Sequence, residues 1–325
     1  MPSSPAPVIS QLVRSRAALA LDGWTDRAIA AAARSGTLVS LRRGWFIHSR
    51  EYDELWPEQR HHAHVIAVAR DAKAQVVMSH SSAAVLWGLP LYGIRCTRVH
   101  LTCALPSRIS SGPDVMRHLA PLPESDLALR DGIRCTSLSR TVFDLVRTLP
   151  LEAAVAVADA AERQMADRGR EWDLDAVFSW RTRLEQRLAA ADGARGIRQA
   201  RWVAEFADGR AQLPGESVSR VQLRRLGFID PDLQVRVEGP HGRDYFVDFG
   251  LAEVRSFGEF DGKTKYLDEA MRSGKTLEQV LLEEKQREDW IRGRTQWRFA
   301  RWGSEHIGTP AALAARLAAF GIRAP

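Results

Sequence analysis

Hydrophobic and polar positions near the N-terminus repeat first with a helical period and then with the alternation of strands. Residues 8–13 and 24–34 carry apolar side chains at helical spacing, and Thr25 is suited to cap the second helix. Residues 38–47 alternate on either side of a glycine, which favours a short hairpin. The pattern predicts a first domain over residues 8–56 that consists of two helices followed by a hairpin.

A second pattern, over residues 60–205, mixes helical stretches with short apolar runs. It predicts strands at residues 75–79, 99–103 and 133–136, and helices at residues 61–71, 79–88, 139–145, 151–163 and 173–206. We interpret this region as a separate middle α/β body.

The C-terminal region, residues 214–322, follows a short linker that ends in Pro-Gly. Its pattern predicts a helix at 216–226, strands at 233–237 and within 244–263, a helix at 276–292, a strand at 297–302 and a helix at 310–320. This order predicts a mixed sheet flanked by helices, so the fold class expected for the whole chain is α/β (α+β).

The amino-acid composition indicates the cellular compartment in which the protein is expected. Hydrophobic residues make up 45% of the 325 positions and charged residues 26%, as in ordinary globular proteins. The three cysteines show no C-x-x-C spacing, which disfavours a disulfide framework or a zinc site built on cysteine. We find no signal-peptide pattern and no apolar run of about 20 residues, the length of a membrane span. We therefore expect a soluble, cytoplasmic protein without a membrane partner.

Positive charge is concentrated at the N-terminus. The net charge is +6, and the first 50 residues hold seven arginines against two aspartates. Two helices followed by an arginine-rich hairpin outline a winged helix-turn-helix, in which the second helix enters the major groove of DNA and the wing contacts phosphates. Arg27 and Arg34 would lie on or beside that helix, and Arg42 and Arg43 on the wing. The alternative is a solvated basic face on a domain that binds protein.

Several carboxylates and a lysine fall on two adjacent predicted strands. Asp248 lies inside an apolar run, where a charged group is costly unless it is compensated. Glu259, Asp261 and Lys263 occupy alternate positions and so share one face. Carboxylates bind a hard cation through oxygen and a lysine can orient the attacking water, as metal-dependent phosphodiester cleavage requires. The alternative is an edge hairpin whose charges are simply solvated.

A set of positions in this region occurs in a recognisable order. They are Gly215-Glu216-Ser217, Arg220, Leu226-Gly227, Pro231 with Gln234, Val247-Asp248-Phe249, Glu259-Phe260-Asp261-Gly262-Lys263, and Glu284-Lys285 with Arg287-Glu288-Asp289. On these positions residues 214–320 resemble the restriction-endonuclease-like superfamily with the PD-(D/E)xK motif, and most closely the branch that includes very-short-patch repair endonucleases.

The resemblance implies roles for individual residues. It implies that Asp248 binds a metal ion, Mg²⁺ or Mn²⁺, that Glu259 is the acid of the next strand, and that Glu216 is the glutamate of the leading helix. Asp261 stands where the superfamily has its lysine. Either the register slips so that Asp261 and Lys263 supply the motif, or the role falls to Lys263 or Lys285 from elsewhere.

A second resemblance covers residues 8–150. The matching stretches are Arg42-Arg43-Gly44-Trp45-Phe46, Ser79-His80-Ser81-Ser82-Ala83-Ala84 with Gly88-Leu89-Pro90, and residues 136–145. They are similar to the antitoxin component of type IV toxin–antitoxin, or abortive-infection, systems. The family implies that the first domain binds operator DNA and that a nucleotidyltransferase toxin is a partner.

Other polar residues are predicted to have structural rather than catalytic or metal-binding roles. His61, His62 and His64 are predicted to be surface histidines, because we identify no third metal ligand beside the pair that shares a helix face. Ser79 with His80 is predicted to cap a helix, and Arg140 with Asp144 to form a local ion pair.

We therefore predict a DNA-binding protein whose C-terminal domain hydrolyses DNA phosphodiesters with Mg²⁺ or Mn²⁺, in defence or toxin–antitoxin biology. Asp248 with Glu259 or Asp261 would bind the ion, Lys263 would orient the water, and Glu216 would assist. The alternative is a transcriptional regulator or antitoxin with an inactive nuclease fold, and a third possibility is an antitoxin that contacts only protein.

Overall fold

The computed structural model describes residues 8–72, 76–104, 111–169, 171–229, 231–262 and 276–325. The chain divides into two compact units, each built from two stretches of sequence. Unit 1 comprises Met1–Leu149 and Phe178–Ala204, and unit 2 comprises Pro150–Val177 and Glu205–Pro325. Helices and mixed or antiparallel sheets occur in both, which confirms the predicted α+β class. In the described part of the chain, no helix combines the length and apolarity needed to cross a bilayer.

The N-terminal part of unit 1 is a small helical layer on a three-stranded sheet. Its elements are α1 (Ile9–Leu12), β1 (Arg14–Ser15), α2 (Arg16–Leu21), α3 (Asp26–Ser35), β2 (Leu38–Arg42) and β3 (Trp45–His48), with sheet order β1-β3-β2. The Thr25 hydroxyl accepts a hydrogen bond from the Ala28 amide (3.2 Å) and begins α3 as predicted. Gly36 has a φ of 79°, a left-handed conformation that ends the helix.

The rest of unit 1 surrounds a five-stranded sheet in the order β6-β5-β4-β8-β7. Its elements are α4 (Ser49–Glu54), α5 (Pro57–Asp71), β4 (Val77–Met78), α6 (His80–Leu86), β5 (Val99–Cys103), β6 (Val115–Leu119), β7 (Leu127–Arg130), β8 (Ile133–Thr136) and α7 (Leu138–Val146). Strand β5 pairs in parallel with β6, and β4 pairs in parallel with β8. The predicted ion pair between Arg140 and Asp144 is confirmed at 3.0 Å.

Unit 2 contains a four-stranded sheet in the order β12-β11-β10-β9. Its first helix is α8 (Leu151–Ala166). The next two helices, α9 (Leu174–Ala190) and α10 (Ile197–Phe206), lie mostly in the second stretch of unit 1. Unit 2 then continues with α11 (Pro214–Arg225), β9 (Asp232–Glu238), β10 (Asp244–Leu251), β11 (Ser256–Phe260), α12 (Leu277–Thr295), β12 (Arg298–Trp302) and α13 (Pro310–Ala318). Strands β9, β10 and β11 are antiparallel neighbours, whereas β11 and β12 are parallel.

Close packing fixes helix α11 and strand β12 against β11. A Cβ at Gly215 would stand 2.1 Å from the Phe260 ring, and one at Gly258 would stand 2.2 Å from the Trp302 ring. The Trp302 indole is 1% exposed and donates to the Ser219 hydroxyl (2.8 Å). Trp302 therefore packs β12 against β11 and α11.

The compact second unit begins earlier in the sequence than residue 214. Helix α8 packs on α11, where the Arg220 guanidinium donates to Asp159 (2.9 Å) in a buried ion pair. Burial raises the pKa of Asp159 to about 6, although Arg220 acts in the opposite direction. Sequence patterns assigned α8 to the middle region because they contain no information about this tertiary contact.

Two expectations about unit 1 are wrong. Ser79 occupies the N-cap position of α6, but its side chain makes no capping hydrogen bond. His61 is not a surface residue, because it is 4% exposed and hydrogen-bonds through Nε2 to the Ser82 hydroxyl (3.1 Å). His62 and His64 are half-buried. Burial lowers the pKa of His61 to about 3, with His100, His64 and His62 contributing, so the ring is neutral near pH 7.

Candidate functional site

Two carboxylates lie side by side within the sheet of unit 2. Asp248 on β10 is 8% exposed and Glu259 on β11 is 2% exposed. Phe249 pairs with Gly258, so the antiparallel register places Asp248 opposite Glu259 one position further on. The Phe260 amide donates to Asp248 Oδ2 (2.9 Å), which ties the aspartate of one strand to the backbone of the other.

Two arginines form ion pairs with Glu259. Arg301 is its direct partner in the parallel β11–β12 register, and Arg301 Nη2 lies 3.1 Å from Glu259 Oε2. Arg287 on α12 pairs with Glu259 Oε1 and also donates to the Phe246 carbonyl (2.6 Å). Burial raises the pKa of Glu259 despite the opposing effect of both arginines, and the nearby charge of Asp248 adds to the increase.

Further carboxylates surround the same guanidinium groups. Arg301 Nε lies 3.0 Å from Glu288 Oε2, and Arg301 Nη1 lies 3.8 Å from Asp261 Oδ2. Glu284 pairs with both arginines, with its Oε1 at 2.8 Å from Arg287 Nη1. The result is a cluster of carboxylates arranged around two guanidinium groups, which we call the acid–arginine cluster (Asp248, Glu259, Asp261, Glu284, Glu288, Arg287 and Arg301).

An open cleft of about 580 Å³ adjoins this cluster in unit 2. Its lining includes three arginines, two aromatic side chains and a carboxylate of the cluster: Arg163, Arg210, Arg287, Trp172, Phe246 and Asp248. Asp167 and Glu171 also lie on its wall, and Arg163 is 3.4 Å from Asp167. Each of the three arginines has a carboxylate partner, Arg163 in Asp167, Arg210 in Asp208 (2.7 Å) and Arg287 in Glu259. The cleft thus combines paired guanidinium groups, which can also bind phosphate oxygens, with aromatic rings that can stack on nucleobases.

The backbone beside Asp248 is strained. Gln234, which lines the same cleft, has a φ of 51° within strand β9. A non-glycine residue with this conformation is uncommon in a strand, and such outliers cluster at functional sites.

The remaining residues predicted for this site lie in different environments. Glu216 is 3% exposed in the first turn of α11, and its Oε2 accepts the Gln212 amide (2.7 Å), so it anchors the segment that precedes the helix. Lys285 is exposed on α12, next to Glu284. Lys263 lies outside the described residues, so its role stays a prediction.

The carboxylates of the cluster do not form a ready-made cation site. Both oxygens of Glu259 already pair with a guanidinium group. Within the described ranges, the one set of three ligand-type side chains with atoms mutually within 4.8 Å consists of histidines in unit 1. A hard cation needs several convergent oxygens. A cation at Glu259 would therefore have to displace an arginine, and no reaction step through a metal ion follows from this arrangement.

The arginines predicted to contact DNA separate into two groups. Arg27 and Arg34 are exposed on α3, and Arg43 is exposed in the turn between β2 and β3. Arg42 is only partly exposed because it pairs with Asp71 (2.7 Å) and with Asp114. Three of the four therefore present their charge to solvent, while Arg42 is engaged within unit 1.

Sequence reasoning missed Arg287 and Arg301 as site residues. Glu284, Arg287 and Glu288 have the i, i+3 and i+4 spacing of one helix face, and this signal was available. The pairing of Arg301 with Glu259 was not available, because it depends on the register between β11 and β12.

Comparisons with known proteins assign no family, and no family model matches the chain. Two proteins of Mycobacterium tuberculosis, "Uncharacterized protein MT2308" of strain CDC 1551 / Oshkosh and "Uncharacterized protein Rv2248" of strain ATCC 25618 / H37Rv, are 32% identical to it over 130 residues. Each match covers 40% of this chain and 44% of the relative, less than half the relative's length. A solved structure, "Crystal structure of RV2827C protein from Mycobacterium tuberculosis", is 18% identical with a TM-score of 0.35, and the match covers 72% of this chain and 87% of that one.

Proposed function

We propose that the protein binds DNA, and that the cleft of unit 2 binds the phosphodiester backbone. The observation that carries the proposal is the group of arginines and aromatic side chains, Arg163, Arg210, Trp172 and Phe246, in a cleft that reaches Asp248. Phe246 is 51% exposed, so its ring is accessible for stacking on a nucleobase.

The N-terminal part of unit 1 supports a second DNA contact. Its order of helices and strands, with the sheet order β1-β3-β2 and a hairpin after α3, is compatible with the winged helix expected from sequence. Exposed Arg27, Arg34 and Arg43 supply positive charge along α3 and the hairpin turn. Phosphate contacts of this kind make affinity strongly dependent on salt.

DNA binding is tested by fluorescence anisotropy over a series of salt concentrations. For the triple variant Arg27→Ala, Arg34→Ala, Arg43→Ala, we expect weaker binding and a salt slope that is smaller by about 2 to 3, since each lost phosphate contact removes about 0.9 from the slope. For the double variant Arg163→Ala, Arg210→Ala, we expect a smaller decrease in the slope, by about 1 to 2.

The matched controls are Arg50→Ala in unit 1 and Arg298→Ala in unit 2, because both arginines are exposed and neither lies on α3, in the hairpin turn or on the wall of the cleft. The proposal requires that the controls bind as the wild type does. Equal salt slopes in the wild type and in both multiple variants would refute it.

Metal-dependent hydrolysis at Asp248 is the second candidate function. It is favoured by the burial of Asp248 beside Glu259 on neighbouring strands, at the positions where the sequence resembles nucleases. The pairing of Glu259 with two arginines favours binding without cleavage, as in the regulator or antitoxin alternative. A toxin partner, operator recognition and a cytoplasmic location remain proposals that rest on sequence alone.

Plasmid nicking with Mg²⁺ or Mn²⁺ distinguishes cleavage from binding. If the site hydrolyses DNA, Asp248→Ala abolishes nicking, whereas Asp244→Asn, an exposed carboxylate on the same strand, leaves it intact. If the wild type binds DNA but does not nick it with either ion, the binding-only function stands. Nicking that survives in Asp248→Ala would come from another site or a contaminant.

A further inference from the structure

Three histidines from separate segments of unit 1 meet at the edge of its five-stranded sheet. His80 is the first residue of α6, His100 lies on β5 and His118 lies on β6. Each offers a ring nitrogen, and these nitrogens all lie within 4.8 Å of one another. We call this group the histidine cluster, and nothing in the proposed DNA-binding function uses it.

The parallel pairing of β5 and β6 brings two of the rings together. His118 pairs with Thr102, two positions beyond His100, so both histidines project from the same face of the sheet. His118 Nε2 and His100 Nδ1 are 3.0 Å apart. One nitrogen must donate a proton to the other at this distance, because two lone pairs would repel each other.

His80 completes the cluster from an unusual backbone conformation. Its φ is 50°, in the left-handed region that few non-glycine residues adopt. Its ring stacks on that of His118, with centroids 3.8 Å apart. The hydroxyl of Ser79 occupies the N-cap position without capping the helix, and instead bonds to His80 Nδ1 (3.1 Å). This bond leaves Nε2 of His80 as the nitrogen available to a ligand, and Ser79 orients it.

The rings are neutral, which is the form that binds metal ions. Burial lowers the pKa of His80 to about 2 and that of His100 to about 4, and the neighbouring histidines and arginines contribute. Burial also lowers the pKa of His118. Among the arginines near His80, Arg140 is compensated by ion pairs with Asp126 (2.9 Å) and Asp144 (3.0 Å).

We propose that His80, His100 and His118 bind one divalent transition-metal ion of the Zn²⁺ class, with the fourth coordination position open to water. Three imidazole nitrogens favour Zn²⁺ and similar ions over Mg²⁺ or Ca²⁺, which prefer oxygen ligands. Two nitrogens bonded to zinc at about 2.0–2.1 Å in a tetrahedron are about 3.3 Å apart. The observed 3.0 Å between His118 and His100 is close to that separation.

On binding, the metal ion takes the place of the proton between His100 Nδ1 and His118 Nε2, and that proton moves through solvent to the other nitrogen of the same ring, so both rings stay neutral. The stacked His80 ring must turn so that its Nε2 lone pair points to the same position, because the lone pairs of two stacked rings lie in nearly parallel planes and do not converge. The ion-bound protein therefore differs from this structure in the orientation of the His80 ring.

The test uses the full-length protein, freed of any affinity tag and treated with a chelator before titration. We expect Zn²⁺ to bind with a stoichiometry of one in calorimetry. Co²⁺ in its place should give the strong visible absorption of a tetrahedral site. His100→Gln and His118→Gln should each weaken Zn²⁺ binding by at least about 100-fold, and Ser79→Ala, which removes only the orienting bond, by about 10-fold.

His48→Gln is the matched control, because His48 is an exposed histidine of unit 1 outside the cluster. Asp248→Ala is a second control and should leave Zn²⁺ binding unchanged, which separates this site from any cation site in unit 2. X-ray absorption at the zinc edge of the wild type should show three imidazole ligands, a result that does not depend on the folding of any variant. Absence of stoichiometric Zn²⁺ binding by the wild type, fewer than three imidazole ligands, or equal losses in His48→Gln and His118→Gln would overturn the proposal.

Discussion

The histidine cluster of unit 1 and the acid–arginine cluster of unit 2 avoid uncompensated charge by different means. Both shield ionisable side chains at least partly from water, which makes an uncompensated charge costly. The histidines stay neutral, because burial lowers their pKa values. The acids and arginines are held by direct ion pairs, with Glu259 between Arg287 and Arg301. A neutral cluster is able to accept a cation, whereas a paired cluster already contains its cations.

Because one cluster is neutral and the other contains ion pairs, substituting one residue should reduce the free energy of unfolding by different amounts in the two clusters. Arg301→Met removes one of the two guanidinium groups that share Glu259 and Glu284, so Arg287 alone has to balance the negative charge of these two acids. We expect a loss of about 3–5 kcal/mol in the free energy of unfolding of unit 2, measured by urea denaturation. Arg298→Met on the same strand is exposed and should change stability by less than about 0.5 kcal/mol. Equal effects of the two substitutions would show that the cluster is not energetically coupled.

Acidification should move the stabilities of the two units in opposite directions. The pKa values of His61, His80 and His100 fall from 6.5 to about 3, 2 and 4, mainly through burial. Between pH 6.5 and 5 the unfolded chain therefore binds protons that folded unit 1 does not. Unit 1 loses up to about 1.4 kcal/mol per pH unit for each of these histidines.

In unit 2 the stability is expected to change with pH in the opposite direction. Burial raises the pKa of Asp159 from 3.8 to about 6, so the folded state binds its proton first and gains stability as the pH falls through 6. Burial also raises the pKa of Asp144 in unit 1, but three histidines oppose that single group. Fluorine NMR of 5-fluorotryptophan protein follows Trp87 in unit 1 and Trp302 in unit 2 during urea titrations at pH 6.5 and 5. If the urea midpoints of the two units shifted in the same direction between pH 6.5 and pH 5, this prediction would be wrong.

Within the neutral cluster, removal of one partner should cost little. His118→Gln in metal-free protein loses the bond to His100 but leaves no buried charge, so we expect a loss of about 0.5–1.5 kcal/mol. Urea denaturation with a chelator present measures this value. A loss as large as that of Arg301→Met would mean that the histidines are charged in the folded protein.

The smallest effect is expected at the edge of unit 1, where ion pairs are open to solvent. The Arg42 side chain is 29% exposed and pairs with Asp71 and Asp114, themselves more exposed. Arg42→Ala should reduce stability by at most about 1 kcal/mol, because solvent screens such pairs. Raising the salt concentration should shrink this difference further, in contrast to the cost of Arg301→Met.

Local sequence signals predicted the parts of the fold that depend on local forces. Thr25 and Gly36 mark the ends of α3 in the sequence as they do in the structure, because caps are made with neighbouring residues. The strands around Asp248 and Glu259 were likewise predicted from alternation and confirmed. Contacts between distant segments were not predictable in this way. His80, His100 and His118 meet only because β5 and β6 pair in parallel, and no spacing along one helix or strand records that pairing.

The same limit applies to the candidate site in unit 2. Its acids were identified by their spacing, but Arg301 pairs with Glu259 through a register that joins residues 42 positions apart. Arg163 and Trp172 were assigned to another region because the contacts that place α8 in unit 2 are tertiary. A search by motif therefore found the carboxylates and missed the groups that neutralise them.

The order of the segments has a consequence for synthesis on the ribosome. Helix α8 belongs to unit 2, yet it emerges before the last stretch of unit 1, Phe178–Ala204. Its partner α11 starts at Pro214, 48 residues after α8 ends at Ala166, a delay of roughly 2 to 10 s at ordinary translation rates. During that interval Asp159 has no Arg220 to pair with. A gene fragment that starts at residue 205 omits this helix altogether, so truncation at that boundary yields an incomplete core rather than an independent domain.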